Sequence, residues 1–98
     1  MILVKKSKEK ILITGHALYD DYDKDIVCSA VSSIVITSLN AIIDFNAKAI
    51  SYKVKSGNIK ITIQSFDKIT LTLINNMLDL LEKLSTKYPK NIQVKEGV

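Results

Sequence analysis

The stretch Ile50-Ser51-Tyr52-Lys53-Val54-Lys55-Ser56-Gly57-Asn58-Ile59-Lys60-Ile61-Thr62-Ile63 decides the fold. Ile50, Tyr52 and Val54 alternate with polar residues, and so do Ile59, Ile61 and Ile63, so each half is a strand with one apolar face. Ser56-Gly57-Asn58 lies between them and supplies a positive-φ residue, which closes the two strands into a β-hairpin. Lys53, Lys55 and Lys60 fall on the opposite parity and face solvent. Tyr52 shares the parity of Ile50 and Val54, which directs it into the core.

Outward from this hairpin the same period of two recurs in Ile2 and Val4, in Ile11 and Ile13, and in Ile92 and Val94, giving three more strands. The segments between them change period. From Asp25 to about Phe45, Ser29, Ser33, Thr37, Asn40 and Asp44 recur at steps of three and four. Val27, Val31, Ile34, Val35, Leu39 and Ile42 are left elsewhere around the axis, and this is helical spacing. From Thr70 to about Tyr88, Ile74, Met77, Leu78, Leu81, Leu84 and Tyr88 repeat it, and Pro89 stops the turn. This second helix is the more amphipathic.

The order β-β-α-β-β-α-β predicts the α+β class: a two-layer sandwich of a largely antiparallel sheet with two helices on one face and the other face open. Ninety-eight residues hold one hydrophobic core, so residues 1–98 are read as a single domain. A core of this size offsets chain entropy narrowly, which is compatible with a dimer.

The net charge of +4 comes from fourteen basic residues, all lysine. Without the guanidinium fork the chain offers nucleic acid only point-charge attraction, so sequence-specific base reading is excluded. Cys28, the sole cysteine, has no partner in its own chain, which excludes a disulfide scaffold and points to a reducing compartment. The N-terminus places Met1-Ile2-Leu3-Val4 before Lys5, Lys6, Lys8 and Lys10, the reverse of an export signal. Ile26 to Ile43 runs eighteen residues without a charge, the lower limit for a membrane span. Serines, Thr37 and Asn40 interrupt it and Asp25 and Asp44 bracket it, so it reads as the buried helix of a soluble, cytoplasmic protein with no membrane contact.

His16 and Cys28 lie twelve residues apart, each at an element boundary. His16 follows Thr14-Gly15 at a strand end. Cys28 is expected in the first turn of the first helix, with Asp25 as N-cap accepting from its backbone N–H. A helix N-terminus favours thiolate, a neighbouring imidazole favours it further, and open N–H groups near Cys28 are the natural oxyanion donors. A lone cysteine in line with Val35 and Leu39 also reads as a small core residue. Ala17 to Lys24, rich in Asp and Tyr, reads as a surface loop, either solvated or covering a site for a basic peptide. No paired ligand spacing for a metal is present.

Gly15-His16-Ala17, a short Tyr-containing loop, and Asp25-Ile26-Val27-Cys28-Ser29-Ala30-Val31-Ser32 together resemble the signature of the ribosomal-processing cysteine protease family, Prp. The Ser56-Gly57-Asn58 hairpin, the leucine-rich second helix and Lys87-Tyr88-Pro89 before a terminal strand extend the resemblance over essentially the whole chain. It implies a cofactor-free bacterial endopeptidase. Such an enzyme removes the N-terminal extension of the large-subunit ribosomal protein bL27, cleaving after an aromatic residue. Carried over by position, Cys28 is the nucleophile, His16 its general base and acid, and Asp25 the acidic residue of the motif. Gly15, Ala17, Tyr19, Tyr22, Ser29 and Ser32 are substrate-binding or supporting. The family forms homodimers, needs no direct nucleic-acid contact, and moves its His-to-Cys loop as substrate enters. Asp23 stands where the family commonly has Gly, which bears on loop motion.

Two readings from other classes stand beside this one. A non-catalytic ribosome- or RNA-associated module would use the lysine-bearing sheet face around Lys53, Lys55 and Lys60, although no aromatic residue is expected among them to stack on bases. A redox-sensing thiol would need an accessible Cys28 but not His16.

Overall fold

A computed structural model describes residues 1–15 and 22–97, with the backbone alone for 22–25. The elements are β1 (Ile2–Lys6), β2 (Lys10–Thr14), α1 (Tyr22–Phe45), β3 (Ile50–Lys55), β4 (Asn58–Ile63), α2 (Lys68–Lys87) and β5 (Ile92–Glu96). They form a five-stranded sheet of order β3-β4-β2-β1-β5. β1 pairs antiparallel with β2, as does β4 with both β2 and β3, while β1 and β5 run parallel. The sheet is thus mixed but largely antiparallel, with both helices on one face.

The β3–β4 turn has two central residues, and both have positive φ, Ser56 at 50° and Gly57 at 79°. Those values belong to the two-residue turn whose twist matches a hairpin. They set Tyr52 opposite Ile61 and Val54 opposite Ile59.

The core lies between the layers. Val4, Ile11, Ile13 and Ile61 of the sheet are fully buried, as are Val31, Val35 and Ile42 of α1 and Ile74, Met77 and Leu81 of α2. The inward stripe of α1 is therefore the interior of this sandwich, although Ile26–Phe45 is by length and apolarity enough to cross a membrane. Ser29, Ser33, Thr37, Asn40 and Asp44 line its exposed side, where their spacing puts them.

Three sequence expectations are corrected. First, α1 begins at Tyr22 instead of Asp25, so the segment read as loop is helical from residue 22 onward. Second, Tyr52 and Val54 do not enter the core: they are 43% and 63% exposed, while Ile50 on the same face is 3% exposed. β3 is an edge strand, paired on one side only, and every one of its residues after Ile50 is exposed. α2 packs against α1 and β5, and the uncovered strand is therefore β3 at the opposite edge. Third, α2 starts at Lys68, two residues before Thr70, because Asp67 caps it. Asp67 accepts from the Thr70 backbone N–H at 3.1 Å and from Thr70 Oγ1 at 2.7 Å. With the Ser65 hydroxyl also donating, these bonds hold the Asp67 carboxyl down at about 2.

Candidate active site

β2 carries the chain to Gly15, which precedes His16 in the sequence and has a left-handed backbone. Its φ is +75°, and a Cβ built on it would lie 2.3 Å from the backbone oxygen of Met1. Both facts require glycine: the left-handed conformation is costly for other residues, and the first residue of the chain leaves no room for a side chain. The Gly15 N–H donates to Asn58 Oδ1 at 3.3 Å, which ties this exit to the β3–β4 turn.

α1 runs back from this same end. Thr14 and Asn58 stand at one end of β2 and β4. Ala49, Ile50 and Ile63, which follow the C-terminus of α1, stand at the other, where Ala49 accepts from the Gln64 N–H at 2.8 Å. Cys28 lies near the α1 N-terminus and so above the Gly15 end. It is half-buried and packed against the core cluster, on the inward line of Val35 and Leu39. Val27, beside it, is 1% exposed. The thiol sits where the buried stripe emerges at the end of the sandwich, within reach of solvent and backed by apolar side chains.

Starting at Tyr22 makes Cys28 the seventh residue of α1, about 9 Å along the axis at 1.5 Å per residue. The first-turn position expected for it is therefore corrected. The amides without intrahelical partners precede residue 25, so the amide of Cys28 is inside the ladder and is not an open oxyanion donor. Asp25, inside the helix, is not its N-cap. The influence of the dipole falls off within the first turn, which leaves a charged or hydrogen-bonding neighbour as the main means of activating this thiol.

Among the other candidates, Ser32 is half-buried one turn beyond Cys28 on the same inward side. Ser29 is exposed to solvent. His16, Ala17 and Tyr19 lie outside the described residues, and Tyr22 and Asp25 are described by backbone alone. Asn58 is a residue that sequence reasoning placed only in a turn. Its bond to Gly15 joins two turns 43 positions apart, a contact that no local pattern encodes.

Comparison with known proteins gives the family and the fold. The profile of the cysteine protease Prp family matches residues 1–93. The ribosomal processing cysteine protease Prp of Staphylococcus aureus is 28% identical over 87 residues, covering 86% of this chain and 82% of that one. A crystal structure of the S. aureus protease in complex with a substrate peptide superposes with a TM-score of 0.90 at 23% identity, over 99% of this chain and all of that one. A second, with a covalently linked product peptide, gives 0.86 at 24% identity, also over 99% of this chain and all of the other. Fold and match together define a cysteine protease of the two-layer α+β kind. The chain belongs to the Prp family of ribosomal processing proteases.

Proposed function

We propose that this protein is the endopeptidase that removes the N-terminal extension of the bL27 precursor during ribosome maturation, using Cys28 and His16 as a catalytic dyad. The observation that carries the reading is the family match, which spans residues 1–93 and so includes both positions. The half-buried setting of Cys28 at the end of the core supports it. So does Gly15, whose left-handed conformation and contact with Met1 fix the chain one residue before His16. The substrate and product peptides held by the S. aureus relative are in keeping with a peptide substrate here.

In this cycle the Cys28 thiolate attacks the scissile carbonyl carbon, forming an Sγ–C bond. His16 gives its proton to the departing amine as the C–N bond breaks, and a thioester remains. Water, deprotonated by His16, attacks the thioester and releases the carboxylate and the thiol. Donors outside the Cys28 amide stabilise the oxyanion, and no cofactor takes part. Asp25 and the remaining residues of the segment from Gly15 to Ser32 support this chemistry or receive the substrate.

The protein acts in the cytoplasm as a homodimer. The outward side of α1 supports the dimer, since Ile26 and Ile36 are 59% and 55% exposed there among small polar residues. Incubating purified protein with a synthetic bL27 precursor and reading the products by mass spectrometry tests the proposal. One cut after an aromatic residue, abolished in both Cys28→Ala and His16→Ala, is expected. An uncut precursor, or a cut that survives Cys28→Ala, overturns it.

A further inference from the structure

The face of the sheet turned away from the helices bears six exposed lysines, Lys5, Lys10, Lys53, Lys55, Lys60 and Lys95. The registers place them in rows. Lys95 is opposite Lys5, Lys5 opposite Leu12, Leu12 opposite Lys60, and Lys60 opposite Lys53, one continuous line across all five strands. At about 4.8 Å per strand that line is about 19 Å long.

Like charges directly opposite one another destabilise a sheet, and this line contains two such pairs, Lys5 with Lys95 and Lys53 with Lys60. Nothing on the face relieves them. No strand position of this parity is acidic, and none of the six lysines makes an ion pair among the described residues. Glu9 lies in the β1–β2 turn and Glu96 has the opposite parity, so both belong to the rim. The acidic residues of the chain are otherwise on or before the helices. Six of the fourteen lysines thus share one sheet face with no acidic strand position of the same parity, while Cys28 lies under the helical layer at the end of the core.

We infer that this lysine face is a docking surface for the phosphate backbone of a folded RNA, separate from the peptide site. Charge complementarity carries the choice of occupant. A second copy of the chain would set lysines against lysines in any two-fold contact. Protein partners are anchored by aromatic residues and arginine and avoid lysine, and here only Leu12, 38% exposed, breaks the row. A bilayer presents a plane, whereas five lysines, Lys5, Lys6, Lys10, Lys60 and Lys95, with Leu12 and one carboxylate, Glu96, line a depression of about 610 Å³, which suits a convex backbone. With no aromatic residue on the face there is nothing to stack single-stranded bases, so the backbone of helical RNA is the target, held without sequence selection. The phosphate chemistry stands independently of the proposed cleavage, and the choice of RNA over DNA rests on the ribosomal reading.

Fluorescence anisotropy with a labelled RNA hairpin, over about 50 to 200 mM salt, tests the inference. The native protein is expected to bind the hairpin no more weakly than a DNA duplex of the same sequence, with a log–log salt slope of about −3 or steeper. Lys5→Gln, Lys60→Gln and Lys95→Gln combined should weaken binding by 10-fold or more and make the slope shallower. The same three changed to Arg should restore binding. Lys48→Gln, Lys87→Gln and Lys90→Gln combined, which remove equal charge elsewhere, should change it less than 3-fold. The Cys28 alkylation rate serves as the check that the variants are folded, because the thiol packs against the core and not on the lysine face. The inference is overturned by no binding at the lowest salt, or by equal losses in the two triple variants. It also fails if phosphatidylserine vesicles, poly-glutamate or duplex DNA bind more tightly than the hairpin. Each result is independent of whether the bL27 precursor is cut.

Discussion

Gly15 and Met1 touch backbone to backbone: a Cβ on Gly15 would come within 2.3 Å of the Met1 oxygen. The start of the chain therefore buttresses the point at which β2 releases the segment leading to Cys28. Gly15→Ala is expected to lower stability by about 1–2 kcal/mol from the left-handed conformation alone, with more lost to the Met1 contact. Urea unfolding measures this. Peptide cleavage should fall further than the folded fraction does, because the displaced residue precedes His16. An alanine variant of native stability and activity would remove Gly15 from the account.

The uncovered half of β3 leads to a contrast within one face of the sheet. Ile61 is fully buried and Tyr52, its partner across the ladder, is 43% exposed. Ile61→Ala should cost about 2–5 kcal/mol, as core truncations do. Tyr52→Ser should cost about 0.5 kcal/mol or less, as exposed substitutions do. Equal losses would mean that the helical layer, or a partner, covers β3 after all.

Asp67 gives stability a definite dependence on pH. Its folded pKa of about 2 is below the ordinary 3.8, so its contribution is fully present above 3.8 and is lost as pH falls through about 2. Asp67→Asn should lower the melting temperature at neutral pH, and the gap to the native protein should shrink between pH 3.8 and about 2. A gap independent of pH in that window would mean that the carboxylate is not what caps α2.

The acidic segment Asp20-Asp21-Tyr22-Asp23-Lys24-Asp25 lies between His16 and Cys28 in the sequence and would attract a basic substrate of the kind proposed. Cleavage of a basic precursor should therefore slow as salt rises, with the effect in KM, because exposed charges are screened over about 8 Å at physiological ionic strength. A KM indifferent to salt would show that this segment does not attract the substrate.

Much of this architecture was legible from periodicity. Ile2, Val4, Ile11, Ile13, Ile59 and Ile61 alternate because one face of each strand is covered, and all of them are buried. Coverage is what alternation cannot report. Tyr52 and Val54 keep the pattern of Ile50 yet lie beyond the helices, since the width of the helical layer is a property of the assembled domain. The start of α1 escaped for a different reason: Asp23 and Asp25 serve equally as loop residues, as caps or as first-turn residues, and spacing alone does not choose among them. The family was legible from Gly15-His16-Ala17 and the run from Asp25 to Ser32. The contacts that shape the site's edge, Met1 against Gly15 and Gly15 against Asn58, join distant positions that no motif spans.

The central claim is that Cys28 is a nucleophile activated by His16. Because Cys28 is the only thiol, its rate of alkylation against pH, in the native protein and in His16→Ala, reads this directly and needs no substrate. The account predicts reaction well below the ordinary thiol pKa of about 8.5 in the native protein, and loss of that low-pH reactivity in the variant. A thiol that reacts only near its ordinary pKa, or identically in both proteins, would contradict it.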